Sequence, residues 1–236
     1  MVKRTVKNIL NYFGYDICHL PTQKTDRKRM ELFRRFGIDL IFDIGANTGQ
    51  YAQKMRRLGY EGEIVSFEPL PDAFEELTRV ASNDPRWDAV NMAVGNKDGE
   101  IDLNVSKNSY SSSIMEMLPK HLESAPDSIY TGSIEVPICK TSSVVYTYSR
   151  EGQHLLLKTD TQGYERQVYE GCRDTFDKIT GFQMELSLVP LYRGETLMQE
   201  MVDLLRNDGF KLMLMEPGHQ DYRTSEILQV EALFFK

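Results

Sequence analysis

Apolar residues recur along this chain in two alternating periods, which predict strands and helices in turn. Short apolar runs that predict strands lie at 40–44, 63–67, 87–94, 101–105, 133–140, 154–160, 181–186, 210–215 and 227–235. Apolar positions at helical spacing fall between some of these runs, at 50–58, 72–80, 164–170 and 195–207. This alternation is typical of a mostly parallel sheet with helices on both faces.

The end of the chain departs from the alternation. Only residues 216–226 join the last two predicted strands, and this polar stretch contains Pro217 and Gly218. A parallel connection needs about a dozen residues or more, usually with a helix, and no crossover helix fits here. We therefore expect a Rossmann-like, seven-stranded, mostly parallel sheet whose last strand is antiparallel, whereas NAD-binding sheets are usually parallel throughout.

Two segments lie outside the repeating pattern. Residues 1–36 precede the first predicted strand, and their apolar positions at helical spacing predict a helical attachment. Residues from about 106 to 133 are rich in serine, contain Pro119 and Pro126, and show little periodicity. An irregular stretch of that length is usually a functional lid or loop. We therefore expect an attachment at 1–36 and one domain at 37–236 with a lid-like insertion.

Composition narrows the class of protein further. A chain of 236 residues, with 41% hydrophobic and 27% charged residues, suits one globular α/β domain. The net charge of −7 disfavours a nucleic-acid partner, because binders of the phosphate backbone usually carry a basic face. We predict no transmembrane segment and no secretory signal, and hence a cytoplasmic protein. The cysteines and histidines are not at metal-ligand spacing, so we predict no metal ligands, although the sequence leaves open a metal-assisted mechanism at its carboxylates.

The loop after the first predicted strand is the strongest local indication of a ligand site. Asp43-Ile44-Gly45-Ala46-Asn47-Thr48-Gly49 follows a buried strand and opens a helix. Gly45 and Gly49 permit a tight turn and a close approach of backbone N–H groups to a ligand. The dinucleotide pattern G-x-G-x-x-G would have glycine where Asn47 stands. Asp43 would repel a pyrophosphate but would suit a sulfonium or ammonium group.

Polar residues at the ends of the next two strands extend this site. Glu68 follows the second strand, where an acid can accept hydrogen bonds from both hydroxyls of a ribose. Asn91, or the backbone of Ala93 near the end of the third strand, is placed to contact an adenine. Both NAD and S-adenosylmethionine carry a ribose and an adenine, so an NAD(P)-linked oxidoreductase remains an alternative at this point.

Several stretches, taken in order, resemble one known family. They are the glycine loop from Asp43 to Gly49, Phe67-Glu68-Pro69, Asn91 to Gly95, Ser111-Ser112-Ser113, and Leu157-Lys158-Thr159-Asp160-Thr161-Gln162-Gly163-Tyr164-Glu165. Together they resemble the FkbM family of S-adenosylmethionine-dependent methyltransferases over roughly residues 39–171. The K-x-D-x-[QE]-G-x-E stretch is the more family-specific part. Thr159 departs from the usual apolar residue there, and Gln162 stands where glutamate is frequent.

The resemblance implies an enzyme that transfers a methyl group from S-adenosylmethionine, most often to a hydroxyl of a sugar, glycan or natural product. It implies that Asp43, Gly45, Gly49 and Glu68 hold the cofactor. It also implies that Asp160 and Glu165 line the active site. The alternative without turnover is a cofactor-binding module, which the acids at positions 160, 165 and 185 disfavour. The sequence indicates neither the acceptor nor the oligomeric state.

Methyl transfer to a hydroxyl depends on alignment and benefits from a general base. Ligands of open α/β sheets lie at the carboxyl ends of the strands. Asp160 is therefore the first candidate for the base, Glu185 on the next strand the second, and His219 between the last two strands the third. We expect Lys158 to point to the opposite face of the strand from Asp160.

The remaining candidates are polar or aromatic residues that could bind the acceptor. Ser112 and Ser113 could order over the cofactor or donate hydrogen bonds to the acceptor. Gln162 and Glu165, in the family-specific stretch, complete the predicted substrate-binding group. Three tyrosines are candidates for stacking against a sugar or another ring: Tyr110, Tyr164 and Tyr192.

Overall fold

The computed structural model describes residues 24–236, so the helix predicted at the start of the attachment lies outside the described residues. Helix α1 (Lys24–Arg35) is the first described element, and it buries Met30, Leu32 and Phe33 against the domain. Within the described part of the chain, no helix is long and apolar enough to cross a membrane.

Strands and helices alternate along the chain that follows. The strands are β1 (Leu40–Ile44), β2 (Glu63–Phe67), β3 (Trp87–Val90), β4 (Ala93–Gly95), β5 (Gly99–Ser106), β6 (Tyr130–Lys140), β7 (Leu155–Thr159), β8 (Ile179–Ser187), β9 (Lys211–Pro217) and β10 (Gln229–Phe235). The further helices are α2 (Gln50–Arg57), α3 (Pro71–Ala81), α4 (Pro119–Ser124), α5 (Thr141–Tyr148), α6 (Glu165–Gly171) and α7 (Met198–Asn207).

Seven of these strands form the central sheet, in the order β3-β2-β1-β7-β8-β10-β9. The pairs from β3 through β8 are parallel, whereas β10 is antiparallel to both of its neighbours. The predicted seven-stranded, mostly parallel sheet with an antiparallel last strand is confirmed. The strand order reverses between β1 and β7, and open α/β sheets bind ligands beside such a reversal.

A second, three-stranded sheet has the order β4-β6-β5. It was not predicted, and the single strand predicted over 87–94 was wrong. The chain leaves the central sheet after Val90, turns through Asn91 and Met92, and pairs with β6 from Ala93 onward. The apolar pattern continues through this change of partner, so hydrophobicity alone does not reveal it.

Helix α5 was not predicted. Val144 and Val145 are among its buried residues. Adjacent β-branched residues favour strands over helices, so local propensity opposes the structure that tertiary packing imposes here.

The core lies on both faces of the central sheet. Phe42, Leu157 and Phe182 belong to the cluster on one face, and Ile41 and Leu156 to the cluster on the other. All five residues of β1 and of β7 are buried. Burial on both faces explains why these strands appear in the sequence as continuous apolar runs.

The predicted insertion at 106–133 connects the antiparallel strands β5 and β6 and overlaps the ends of both. It is partly regular, since it contains α4 and a 3₁₀ turn at Pro126–Ser128. Its polar side chains bond to one another, as in the Ser111–Ser128 hydroxyl pair at 2.9 Å. These bonds hold distant parts of the insertion together.

Candidate active site

A cavity of about 360 Å³ opens at the carboxyl ends of the parallel strands. That volume is within the range of small-molecule sites. The loops after β1, β2 and β3 form one side of its wall, and acidic residues directly after β7 and on β8 and β10 lie on the other, while residues 109–110 and 112–114 of the insertion also line it. Many of the residues predicted to bind cofactor and acceptor line this one cavity, among them Gly45, Glu68 and Asp160.

The glycine loop forms part of the first side. The N–H groups of Gly45 and Ala46 donate to the carbonyl of Phe67 at 3.0 and 3.1 Å, which ties the loop to β2. A Cβ on Gly45 would lie 2.0 Å from the carbonyl oxygen of Asp160. Gly45 thus permits the loops after β1 and β7 to approach each other. Asn47 has a left-handed backbone with φ of 48° and also lines the cavity.

Gly49 closes the same loop but lies outside the cavity wall. Its φ is +84°, and a Cβ there would lie 2.8 Å from the ring of Trp87. The second glycine therefore serves close packing of α2 against β3.

Glu68 is a buried acid at the end of β2, on the cavity wall. Its Oε2 accepts a hydrogen bond from the N–H of Asn47 at 2.7 Å, and its Oε1 accepts one from the N–H of Leu70 at 2.9 Å. Burial raises the pKa of Glu68 to about 7, although these two hydrogen bonds oppose the shift. Each carboxylate oxygen keeps a further lone pair with which to accept a hydroxyl.

The raised pKa of Glu68 predicts a pH-dependent loss of stability. The folded protein holds this proton up to a pH of about 7, whereas the unfolded chain releases it near the ordinary value of 4.5. As pH rises through that window, Glu68 should lower the free energy of unfolding by on the order of 3 kcal/mol. Glu68→Gln should abolish this loss, so its stability relative to wild type should rise by that amount between pH 4 and pH 8.

Urea unfolding of both proteins at each pH measures this difference. Comparison with wild type cancels the contribution of His121, whose pKa is lowered to about 4 by burial and by His219 and whose slope is opposite. A stability difference that stays constant from pH 4 to pH 8 would contradict the prediction.

Asn91 and Ala93 take different positions near the end of the third strand. The side-chain amide of Asn91 donates to the carbonyl oxygens of Glu68 and Pro69 at 2.8 and 3.2 Å, and Asn91 is not part of the cavity wall. Ala93 does line the cavity, together with Met92. Asn91 therefore orders the loop after β2, and the apolar surface beside it belongs to Ala93 and Met92.

Asp43 lies beneath the cavity wall and is fully buried. Its Oδ1 is 2.9 Å from Nζ of Lys158, and the hydroxyl of Ser66 donates to its Oδ2 at 3.3 Å. The structure thus gives this acid a partner within the protein.

The expectation that Lys158 and Asp160 point to opposite faces was wrong. Residues two apart on a strand share a face. Nζ of Lys158 is 3.7 Å from the Asp160 carboxylate and donates to the carbonyl of Gly45 at 3.3 Å. Although burial opposes it, the charges of Asp43 and Asp160 raise the pKa of Lys158 overall. Lys158 therefore joins the glycine loop to the first candidate base.

Asp160 and Glu185 face each other across the side chain of Gln162. The amide nitrogen of Gln162 donates to Asp160 at 2.8 Å and to Glu185 at 2.9 Å. The hydroxyl of Tyr192 donates to the amide oxygen of Gln162 at 2.6 Å, and Ser113 donates to its backbone carbonyl at 2.6 Å. Gln162 is therefore fixed on three sides, and it sets the separation of the two carboxylates.

The two carboxylates differ in their environment. Burial, followed by the charge of Asp160, raises the pKa of Glu185 well above its ordinary value. The side chain of Asp160 is 39% exposed. Asp160 is thus the more accessible of the two acids.

Glu165 and His219 are not part of the cavity wall. The carboxylate of Glu165 accepts hydrogen bonds from the N–H and hydroxyl of Thr161, at 2.8 and 3.0 Å, at the start of α6. His219 lies beyond the wall, where its ring stacks on His121 and hydrogen-bonds with Ser124 at 2.8 Å. Both residues therefore hold neighbouring segments together.

Ser112 and the three candidate tyrosines also take distinct positions. Ser112 lines the cavity, and its hydroxyl accepts a hydrogen bond from the N–H of Ser106 at 3.0 Å. Tyr110 also lines it and is 62% exposed, whereas Tyr164 and Tyr192 are buried. Tyr110 is therefore the tyrosine whose ring is free to stack on an acceptor.

The cavity wall also contains residues that were not predicted, among them Glu231 and Tyr51. Glu231 is the only charged residue in β10, and an acid within a mostly apolar strand is a signal that could have identified it. The hydroxyl of Tyr51, on α2, donates to Gln183 at 2.9 Å. A tyrosine on an amphipathic helix is ordinary core, so the sequence offers no such signal for Tyr51.

Residues 24–236 contain no cluster of three or more histidine, cysteine or acidic side chains placed to hold a metal ion.

Comparison with known proteins places these features in context. Residues 43–212 match the family model described as "Methyltransferase FkbM domain". The chain is 27% identical over 186 residues to the 2-O-methyltransferase NoeI of Sinorhizobium fredii, covering 75% of this chain and 74% of that protein. It is 26% identical over 187 residues to the methyltransferase sdnD of Sordaria araneosa, covering 70% of this chain and 66% of that one.

A solved structure with a similar fold is that of the methyltransferase FkbM from Methylobacillus flagellatus KT. The TM-score is 0.50 at 12% sequence identity. The match covers 84% of this chain but only 44% of the other, so this chain spans less than half of that protein. At this identity the likeness concerns the fold.

Proposed function

This chain belongs to the FkbM methyltransferase family and is an S-adenosylmethionine-dependent methyltransferase, and from that premise we propose that its acceptor is a hydroxyl group of a sugar, glycan or comparable natural product. The observation that carries this proposal is the pair of carboxylates, Asp160 and Glu185, which Gln162 bridges in the cavity beside the glycine loop. The relative NoeI, named a 2-O-methyltransferase, supports the choice of oxygen.

The first side of the cavity fits the cofactor. Glu68 has lone pairs available for the ribose hydroxyls, and Met92 and Ala93 offer an apolar surface for the adenine. Asn47 lines the wall where a dinucleotide loop would have glycine, and Lys158, the only cation among the described residues of the wall, is already paired with Asp43. These features support S-adenosylmethionine over NAD(P).

When bound, S-adenosylmethionine supplies an electrophilic methyl group on a sulfonium. The contribution of this chain is to align the acceptor hydroxyl with that methyl group, which can lower the barrier by roughly 7–11 kcal/mol. Asp160 is accessible to accept the proton of the hydroxyl. Gln162 holds the Asp160 carboxylate in place by a hydrogen bond of 2.8 Å.

Glu185 is less suited than Asp160 to accept the proton of the acceptor. Its raised pKa favours the protonated form, which donates hydrogen bonds and cannot take up a second proton. We therefore assign Asp160 as the base and Glu185 as a hydrogen-bonding partner of the acceptor or of Gln162.

The position of Tyr110 supports the proposal that the acceptor contains a ring. The exposed ring of Tyr110 lines the cavity. The preceding residue, Ser109, accepts a hydrogen bond from the side chain of Asn47 at 3.3 Å. An aromatic ring next to the glycine loop is suited to stack on the apolar face of a sugar.

The test is methyl transfer itself. The protein is incubated with S-adenosylmethionine carrying a deuterated methyl group and a panel of glycans, free sugars and hydroxylated natural products. Mass spectrometry should show a product that gains one labelled methyl group, and fragmentation should place it on oxygen. A label placed on nitrogen, or no labelled product across the panel, would contradict the proposal.

A further inference from the structure

The acids of the cavity follow the strand order of the central sheet. The glycine loop follows β1 and Glu68 follows β2. Asp160 follows β7, Glu185 lies on β8 and Glu231 on β10, and these three strands are successive neighbours. Neighbouring strands lie about 4.8 Å apart, so the strand of Glu231 is roughly 10 Å from that of Asp160. Counted by strands, Glu231 is therefore the acid of the cavity wall farthest from β1.

Glu231 is held in the wall by hydrogen bonds from two neighbouring side chains. The amide of Gln183 donates to its two oxygens at 3.1 and 3.0 Å, and the guanidinium of Arg29 donates to Oε2 at 3.1 Å. Burial raises the pKa of Glu231, and the charge of Arg29 opposes this shift. A carboxylate has about four lone pairs, so Glu231, which lines the cavity, retains capacity to accept a further hydrogen bond.

Arg29 brings helix α1 into this arrangement. Its side chain is 2% exposed and also pairs with Asp26, at 2.7 Å, and with Glu216 on β9. A buried guanidinium of this kind is costly to desolvate, and an apolar side chain of similar size would often stabilise the fold as well or better. Its fork of donors does what an apolar residue could not, because it fixes the position of Glu231.

A second arrangement that lowers the stability of the fold also involves Glu231. Glu185 and Glu231 are direct partners on the antiparallel strands β8 and β10. Two acids directly opposite each other destabilise a sheet when both are ionised, and keeping one of them protonated also costs free energy once the pH is above the ordinary pKa of a carboxyl. Departures from such local rules concentrate where a site requires them, and here both side chains line the cavity.

We propose that Glu231 binds a second polar group of the acceptor, that Arg29 positions Glu231 for this contact, and that the acceptor is an uncharged or cationic polyhydroxyl compound. This inference rests on the proposed function. Lys158 is the only cation among the described residues that line the cavity, and Asp43 already pairs with it at 2.9 Å. A phosphorylated or carboxylated acceptor would meet the acids Asp160 and Glu231, because the nearby cations Lys158 and Arg29 are already paired with carboxylates of the protein.

Three probes of one ring type test the charge preference. Methyl glucoside, glucosamine and glucose 6-phosphate are titrated into the full chain saturated with S-adenosylhomocysteine, and binding is followed by saturation-transfer NMR. We expect the first two to bind and the phosphate to bind at least tenfold more weakly. Equal binding of the phosphate, or binding of none of the three, would overturn the inference.

Glu231→Gln and Glu216→Gln are a matched pair of variants. Both residues contact Arg29, but only Glu231 lines the cavity. We expect Glu231→Gln to weaken binding of glucosamine and methyl glucoside at least fivefold, and Glu216→Gln to change it less than twofold. The affinity for S-adenosylhomocysteine should be unchanged in both variants, which also shows that they are folded. Equal effects of the two variants on the sugars would reject the role of Glu231.

Arg29→Lys tests the positioning role separately. Lysine retains the charge but loses the fork of donors, so sugar binding should weaken while the affinity for S-adenosylhomocysteine stays the same. Unchanged sugar binding would remove Arg29 from the proposal. Failure of the proposed function is distinguishable, because it would appear as absent methyl transfer to oxygen rather than as a change in probe selectivity.

Discussion

Asp160→Asn is expected to lower kcat by roughly 10²–10⁴-fold, the usual contribution of a positioned general base. Asparagine has nearly the same shape and keeps an oxygen that can accept the hydrogen bond from Gln162, but it cannot take up the proton of a hydroxyl. Affinity for S-adenosylhomocysteine should stay within about twofold, since Glu68 and the glycine loop are untouched. Single-turnover transfer to an acceptor found by mass spectrometry measures the first quantity, and calorimetry measures the second.

Asp102→Asn is the control for this change. Asp102 is exposed on β5 and is not part of the cavity wall, so its variant removes the same charge without touching the site. If Asp160→Asn kept full kcat while Glu185→Gln lost it, the assignment of the base would have to move to Glu185.

Lys158→Met is expected to lower the free energy of unfolding by about 3–5 kcal/mol, because it leaves the carboxylate of Asp43 buried without its partner. The ion pair at 2.9 Å lies in the middle of the sheet, on the adjacent strands β1 and β7. The double variant Asp43→Asn/Lys158→Met should recover most of this loss, since neither side chain is then charged. Denaturant unfolding, followed by fluorescence and by circular dichroism, gives both values.

The exposed pair of Arg150 and Glu63 provides the comparison. Its side chains are 75% and 37% exposed, and Arg150→Met should cost less than about 1 kcal/mol. A loss of similar size for Lys158→Met would mean that the Asp43–Lys158 pair is solvated in the protein and does not fix the glycine loop.

Much of the fold could be predicted because burial on two faces leaves a clear pattern in the sequence. Strands β1 and β2 begin and end at the predicted residues, 40–44 and 63–67. The antiparallel direction of β10 followed from the short polar connection before it. The separate small sheet was missed because the break at Asn91 does not interrupt the apolar pattern, although it changes the partner strand.

The site could be predicted only at the level of strand ends. Gly45, Glu68 and Asp160 follow strands whose carboxyl ends share one edge, so topology alone brings them together. The sequence could not show that the buried Asp43 pairs with Lys158, or that His219 lies against another histidine outside the cavity wall. The role of Asp160 as the base stays a prediction, which Asp160→Asn tests.

The sequence by itself determined the class of fold, the direction of the last strand and the family, since these depend on local periodicity, connection length and short motifs. Only the tertiary structure decided which charged groups meet. Arg29 and Glu231 are separated by 202 residues, yet they are 3.1 Å apart because α1 lies against the far strands of the sheet. Such contacts depend on strand register and helix placement, where a shift of one residue would turn each side chain to the other face.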